Sequence, residues 1–327
     1  MHQTQVTAIG SYVPPAKLTN DQLQQLVETS DEWIVQRTGI KERRIAGDDQ
    51  FTSDLCEAAI HNLLERYNQT AEDVDFIIAC THTPDLPFPG VACQLQHRLG
   101  VKQAGAIDVN ATCAGFVYGL HLAHTLIRSG LHRKILVVAG DTMSKITDYT
   151  DRTTCILFGD AAGAAMVERA EENAFLGIHL DSDGSGGGML YRSGLSGQWQ
   201  DQLLKQSGKV VQNGREVYKW AVSTIPAGMS KTVQEAKLTF HDVDWFVPHS
   251  ANLKMLEAIC ERSGFPLSQT LYSMVHYGNT SAASIPLSID QALQEGILKP
   301  GQHLLLYGFG GGLVQAGMVL KWTASLA

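Results

Sequence analysis

Asp73-Val74-Asp75-Phe76, running on into Ile77–Cys80 (IIAC), returns as Asp242-Val243-Asp244-Trp245, running on into Phe246–His249 (FVPH), at an offset of 169 (242 − 73). The segment around Ile9 (TAIGSYVP) lines up with that around Ile178 (LGIHLDSD) at the same spacing, and Ile135–Gly140 (ILVVAG) with His303–Gly308 (HLLLYG) at 168 (303 − 135). Similarity at a fixed period in a fixed order is the mark of an internal repeat. The alternative is two unrelated α/β units that resemble each other by chance. Each copy alternates short apolar runs with helix-like stretches. The runs read as buried strands by their length and flanking turns. Thr52–Tyr67 opens on Thr52 and Ser53 as possible caps and spaces Leu55, Ala59 and Leu63 at helical intervals. Strands alternating with helices predict an α/β fold with helices on the faces of a parallel or mixed sheet. The expected units are residues 1–172 and 173–327, sharing an interface because no Pro- or Ser-rich linker parts them.

Working outward, the chain of 327 residues carries a formal charge of 25 − 33 = −8. That balance argues against a nucleic-acid partner, which would favour a basic face. Apolar residues at 44% against 18% charged allow a large core. Six cysteines without a CxxC pair exclude a disulfide scaffold and a zinc ribbon. No metal site and no cofactor are expected. No apolar run is long enough for a membrane span. The N-terminus lacks a basic segment followed by an apolar one. The expectation is a cytoplasmic protein with reduced thiols.

The copies differ after Gly140. Residues 143–160 (MSKITDYTDRTTCILFGD) precede the next strand, AAGAAMVE, whereas Gly308 is followed almost at once by LVQAGMVLKW. An insertion in one copy is where function or an oligomer contact is built.

Four stretches carry candidate chemistry. Cys113 follows the strand-like GAIDV and opens the helical pattern FVYGLHLAHTLI. A thiol at a helix N-terminus is expected to ionise more readily, because backbone N–H groups and the dipole favour the thiolate. A free cysteine is otherwise a buried, inert residue, and Cys56, Cys80, Cys93, Cys155 and Cys260 read that way. His249 stands directly after the strand DWFVP, placed to face a cleft at the carboxyl edge of a sheet. His121 and His124 are not spaced as metal ligands. Asn279 lies in a small-residue turn that the offset sets against the Cys113 turn, where it reads as a site residue or a helix cap. Gly308–Gly312 (GFGGG) lacks the third glycine of a dinucleotide loop and is followed by a strand. Its glycines would let backbone N–H groups approach a reacting carbonyl.

Together Ala111–Phe116 (ATCAGF), Pro248–Asn252 (PHSAN), Gly278–Ser284 (GNTSAAS) and Gly308–Gly312 resemble the β-ketoacyl-acyl carrier protein synthase III family of thiolase-fold condensing enzymes. Ser30–Ala46 (SDEWIVQRTGIKERRIA) and Thr147–Ala164 (TDYTDRTTCILFGDAAGA) extend the likeness over nearly the whole chain. It is most similar to the second isozyme type of Bacillus-like bacteria. The resemblance implies a duplicated five-layer αβαβα sandwich and a homodimer. It implies that an acyl-CoA acylates Cys113 and that malonyl-acyl carrier protein then condenses with decarboxylation. Cys113, His249 and Asn279 would be catalytic, with Cys113 and Gly311 N–H groups as the oxyanion hole. Trp33, Arg37 and Arg152 would bind CoA. Phe158, Tyr218 and Phe309 would line the acyl pocket, and Phe88 would reach a partner subunit's pocket. Lys219, Ser250, Ala251, Asn252, Leu253, Lys254 and Arg262 would meet the carrier protein. The chain departs from the family at Ser250 and Lys254, where Gln and Arg are usual, which bears on the geometry of that contact. A related ketosynthase of polyketide, quinolone or long-chain ketone synthesis is the alternative. A partner subunit without activity is disfavoured, since such a subunit would lack the nucleophile.

Overall fold

The protein is described by a computed structural model covering residues 2–325. The strands of four or more residues are β1 (Gln3–Tyr12), β2 (Phe76–Cys80), β3 (Gly105–Val109), β4 (Lys134–Asp141), β5 (Ala161–Ala170), β6 (Phe175–Ser182), β7 (Trp245–Pro248), β8 (His303–Gly310) and β9 (Val314–Lys321). The helices of eight or more are α1 (Asp31–Thr38), α2 (Thr52–Arg66), α3 (Val91–Arg98), α4 (Gly115–Arg128), α5 (Gly214–Glu235), α6 (Leu253–Ser263) and α7 (Ser284–Gln294).

One sheet runs β1-β5-β4-β2-β3 and the other β6-β9-β8-β7. Both follow the same path, first strand to last, then back through the penultimate to the second. The second sheet lacks a full counterpart of β3; what remains is a lone parallel bridge between Phe246 and Thr270. The repeat in the sequence is thus a repeat in topology.

Strand periodicity assigns each side chain to a layer, because successive residues point to opposite faces. Along β4, Ile135, Val137 and Ala139 join the core between the sheets. Leu136 and Val138 join the outer core under α2 and α3. Along β8, Leu304 and Leu306 face the central layer, while Leu305, Tyr307 and Phe309 face α5 and α6. The central core takes Phe116, Val117 and Leu120 from α4 and Ile285 and Ile289 from α7. Five layers result: α2 with α3, a sheet, α4 with α7, a sheet, α5 with α6. Every residue of β4 is buried, as expected of a central strand covered on both faces.

The two sheets also grip the start of α4. A Cβ at Gly308 would stand 2.6 Å from Ala114 Cα, so β8 approaches the turn before α4 backbone to backbone. Gly308→Ala is therefore expected to lower the unfolding free energy by ~1–3 kcal/mol through overpacking. A denaturant midpoint equal to that of the parent chain would contradict this packing.

Candidate active site

β2, β3 and β4 run parallel and end together at Cys80, Val109 and Asp141; β7 and β8 run parallel and end at Pro248 and Gly310. Between these edges the central helices α4 and α7 begin. Each is entered through one 3₁₀ turn, Thr112–Ala114 and Ser281–Ala283. The first residue of each turn has positive φ, +44° at Thr112 and +53° at Ser281, the same 169 residues apart (281 − 112). Such a conformation costs a non-glycine residue ~1–3 kcal/mol and persists only where its surroundings enforce it. Here the enforced turns bring residues of both copies to one point.

Cys113 occupies the first turn and is 7% exposed. Ser281 Oγ donates to its Sγ at 3.5 Å. The expected easy ionisation is not found. Burial pushes the thiol up to about 12, Asp141 adds to the rise, and Ser281 and the Cys113 backbone N–H pull against it. Loss of solvent outweighs the helix N-terminus and favours the thiol form of Cys113.

His249 follows β7 and donates its backbone N–H to Tyr307 O at 2.8 Å, prolonging the β7–β8 pairing. Its ring stands edge-on to Phe309, 5.4 Å between centroids. Ser284 Oγ accepts from Ser250 N–H at 3.2 Å and lies 2.9 Å from His249 Nδ1. Ser284 Oγ can donate to Nδ1 or accept from it, so this contact holds the ring in place without fixing which nitrogen carries the hydrogen. Burial lowers the imidazole to about 3, against a backbone hydrogen bond at Ser281 and the charge of Asp141. His249 is neutral at ordinary pH.

Asn279 is buried, and its Oδ1 accepts from Ser281 N–H at 2.9 Å. That leaves its amide N–H₂ as the donor. Cys113, His249, Asn279, Phe158 and Phe309 line one cavity. A second opens on the other side of Cys113, lined by Met143, Ile146, Phe158, Leu190, Val210 and Gly311, with a volume of about 70 Å³. One water needs ~10–15 Å³ on this measure, so there is room for a handful of heavy atoms. Met143, Ile146 and Phe158 all come from the inserted segment.

β8 lies against the nucleophile because Gly310 has no side chain. A Cβ there would stand 3.1 Å from Cys113 Sγ. Thr112 Oγ1 donates to Gly311 O at 2.9 Å and ties the two loops together.

The remaining expected residues fall at several places. Arg37 and Arg152 place their guanidiniums 5.6 Å and 5.1 Å from the Trp33 ring centre, away from Cys113. Tyr218 is exposed and lines neither cavity; its neighbour Val217 does so instead. Phe88 is 85% exposed. Ser250 is fully buried, its Oγ accepting from Ser273 N–H at 3.1 Å, so it offers no surface to a partner. Ala251 is buried as well. Asn252 caps α6 by accepting from Met255 N–H at 2.9 Å, and Leu253 is half-buried in the first turn. Lys219, Lys254 and Arg262 are exposed. Cys93, expected in the core, is exposed, because α3 turns that face outward; the other four are buried.

Four residues escaped the sequence reading: Ser281, Ser284, His82 and Asp141. The repeat pairs Ser281 with Thr112 and so carried a signal for it. His82 and Asp141 each stand two residues beyond the paired Cys80 and Ala139, which a strand register alone would reveal.

Comparison with known proteins places this geometry. The family model described as 3-oxoacyl-[acyl-carrier-protein] synthase III matches residues 107–184, and that of its C-terminal part matches residues 202–322. The chain belongs to the β-ketoacyl-acyl carrier protein synthase III family, whose members are acyl-transferring condensing enzymes. The β-ketoacyl-[acyl-carrier-protein] synthase III 2 of Halalkalibacterium halodurans is 58% identical over 98% of this chain and 97% of its own length. That of Bacillus subtilis is 56% identical over 98% and 99%. The crystal structure of the Thermus thermophilus synthase III superposes with a TM-score of 0.94 at 42% identity, covering 97% of this chain and 99% of its own. The reading as a polyketide, quinolone or long-chain ketone synthase gives way to this one.

The buried neutral histidine has a measurable signature. His249 titrates near 3 when folded and at ~6.5 when unfolded. The unfolded chain therefore binds the extra proton first, and stability falls as pH drops through that window. The slope is about 1.4 kcal/mol per pH unit for this group. His124, lowered to about 4 by burial, adds its own slope. Denaturant titrations at several pH values should show His249→Gln with a shallower acid limb. An unchanged limb would mean that His249 is not held neutral.

Proposed function

We propose that this protein starts fatty-acid synthesis by condensing a short acyl-CoA with malonyl-acyl carrier protein. The observation that carries the reading is the convergence of Cys113, His249 and Asn279 on one cavity. Cys113 Sγ attacks the acyl-CoA thioester, the acyl group passes to Cys113, and CoA leaves as a thiol carrying the proton lost by Cys113. Holding the acyl group covalently divides the reaction into two easier steps. Malonyl-carrier protein then loses CO₂, and the carbanion so formed attacks the acyl-Cys113 carbonyl; the C–S bond breaks, 3-oxoacyl-carrier protein leaves, and the released Cys113 thiolate regains a proton from solvent. Decarboxylation supplies the carbanion, so no base is required. His249 Nε2–H and the Asn279 amide donate to the malonyl thioester oxygen as charge develops on it. A neutral donor suits this role, and the burial that keeps His249 neutral supports it. The N–H groups of Cys113 and Gly311 hold the oxyanion of the acyl transfer. Each such donor is worth about 10²–10³ in rate.

The wider assignments follow the same reading. Trp33 with Arg37 and Arg152 forms the stacking platform for the CoA adenine. The small cavity holds the starter acyl group, and its size favours acetyl and short branched chains. Phe158 and Phe309 wall the chemistry; Phe88, with exposed Leu86 and with Ile107 on the open edge strand β3, meets a second copy. Lys219, Lys254 and Arg262 receive the carrier protein. Lys219 and Lys254 hold Glu216 and Glu257 at 2.7 Å and 2.8 Å. Exposed pairs of this kind are worth ~0–1 kcal/mol, so a partner displaces them readily. We take residues 1–172 and 173–327 as the two halves and the cytoplasm as the location. Among the described residues no helix is long and apolar enough to cross a membrane.

Intact-mass measurement after incubation with acyl-CoA should show one added acyl group, absent in Cys113→Ala. Acylation persisting in that variant would sink the reading. A panel of primers should give acylation by isobutyryl-, isovaleryl- and 2-methylbutyryl-CoA as well as acetyl-CoA. A chain that took only acetyl-CoA would refute the branched-starter part. Condensation should require malonyl-carrier protein, with malonyl-CoA inactive.

A further inference from the structure

His82 has no part in the chemistry derived above, yet it lines the cavity beside Cys113. Its Nδ1 lies 3.2 Å from Asp141 Oδ2 and 3.5 Å from Ser281 Oγ. Ser281 in turn donates to Cys113 Sγ at 3.5 Å. A carboxylate only accepts, so Nδ1 carries the hydrogen. We propose that His82 is a positioning residue for the nucleophile: by occupying Asp141 it directs the Ser281 hydroxyl onto Cys113, where that hydroxyl stabilises the thiolate.

The argument is one of competition for a single hydrogen. Asp141 is fully buried. Its Oδ1 is filled by Thr81 Oγ1 at 2.9 Å, His82 N–H at 3.0 Å and Thr83 Oγ1 at 3.0 Å. Its Oδ2 receives His82 Nδ1–H and, at 3.5 Å, the Ala282 N–H. Ser281 also lies within reach of this carboxylate. A hydroxyl placed between a carboxylate and a thiol donates to the carboxylate, because a charged acceptor makes the stronger bond. With Oδ2 engaged by His82, the Ser281 hydrogen is left for sulfur. The second effect has the same sign. Asp141 opposes ionisation of Cys113, and a donor on Asp141 offsets that charge. The other ionisable groups around the cluster are His249 beyond β7, Tyr191 and Arg192 across the cavity, Cys56 on α2 and Cys80 on β2. Asp108 is held by Val91 and Ala92 N–H groups, and Asp85 by Ser53.

This inference rests on Cys113 as the nucleophile, and its test reads ionisation without any acyl donor. The rate of Cys113 alkylation by iodoacetamide, located by peptide mass spectrometry, is measured from roughly pH 6 to 10. This range lies below the midpoint, so in His82→Ala the rate at each pH should fall about tenfold, as an upward shift of about one pH unit requires. Acyl transfer should fall in kcat with the KM for acyl-CoA unchanged. Ser281→Ala should reproduce the shift, and the double variant should add little, as expected of residues acting in one path. His82→Asn, which keeps an N–H donor, should recover part of the effect. It also supplies a folded variant should His82→Ala not fold. An unchanged alkylation rate in His82→Ala across this range, or additive losses in the double variant, would overturn the proposal. A Cys113 that alkylates normally but takes no acyl group would instead overturn the proposed function alone.

Discussion

The structure depends on two helix starts meeting in the centre of the molecule. The turns before α4 and α7 are related by the repeat, and each opens on a residue with positive φ. A Cβ at Gly115 would lie 3.5 Å from Ala282 Cβ, so the turns touch through their smallest residues. Two sheets, each pressed on by both central helices, leave these turns no alternative position. Packing of this kind is dense and poorly compressible, and it holds Cys113 from one copy against Ser281 from the other. The strain at Thr112 and Ser281 is borne by the cores on either side.

Burial follows from that geometry and sets the electrostatics. The thiol is raised and the imidazole lowered, each toward its neutral form, by the same cause. A dry site with neutral groups is costly for a free thiolate but well suited to oriented donors, whose effect grows as the dielectric falls. Asp141 is the exception: a buried carboxylate held below its ordinary value by His82 and by backbone N–H groups despite its desolvation. Its hydrogen bonds tie the ends of β2 and β4 to the turn before α7. The ion therefore works as a brace between the two copies, and its charge bears on the nucleophile beside it.

Much of this was legible in the sequence, for reasons that are physical. A repeat in strand and helix pattern forces a repeat in topology, so DVDF and DVDW, with the other segments matched in the same order at nearly the same offset, predicted equivalent strands. Cys113, His249 and Asn279 each follow a strand or open a helix, positions that face a shared edge. The insertion after Gly140 announced itself by breaking the repeat, and it supplies Met143, Ile146, Phe158 and Arg152. What the sequence concealed depends on which way side chains turn. Ser250, next to His249, reads as surface but packs inward on Ser273 and Ser284. Cys93 reads as core but lies on the outer face of α3. His82 and Asp141 are 59 residues apart (141 − 82) and meet only through the register of β2 against β4.

Charge gives the site its last constraint. A chain with a net charge of −8 that is to meet an anionic ligand cannot draw it in by its overall field. Long-range attraction cannot serve, since exposed charges are screened beyond ~8 Å at physiological salt. Local placement has to do so instead. Lys219 on α5 and Lys254 and Arg262 on α6 stand on neighbouring helices that cover one outer face, and Asn252 caps the second of these close behind His249. Arg37 and Arg152 lie against Trp33 on α1, and α1 itself packs on α6. Lysine at 254 offers a point charge where a guanidinium would fork two hydrogen bonds, and here it pairs with Glu257 one turn on.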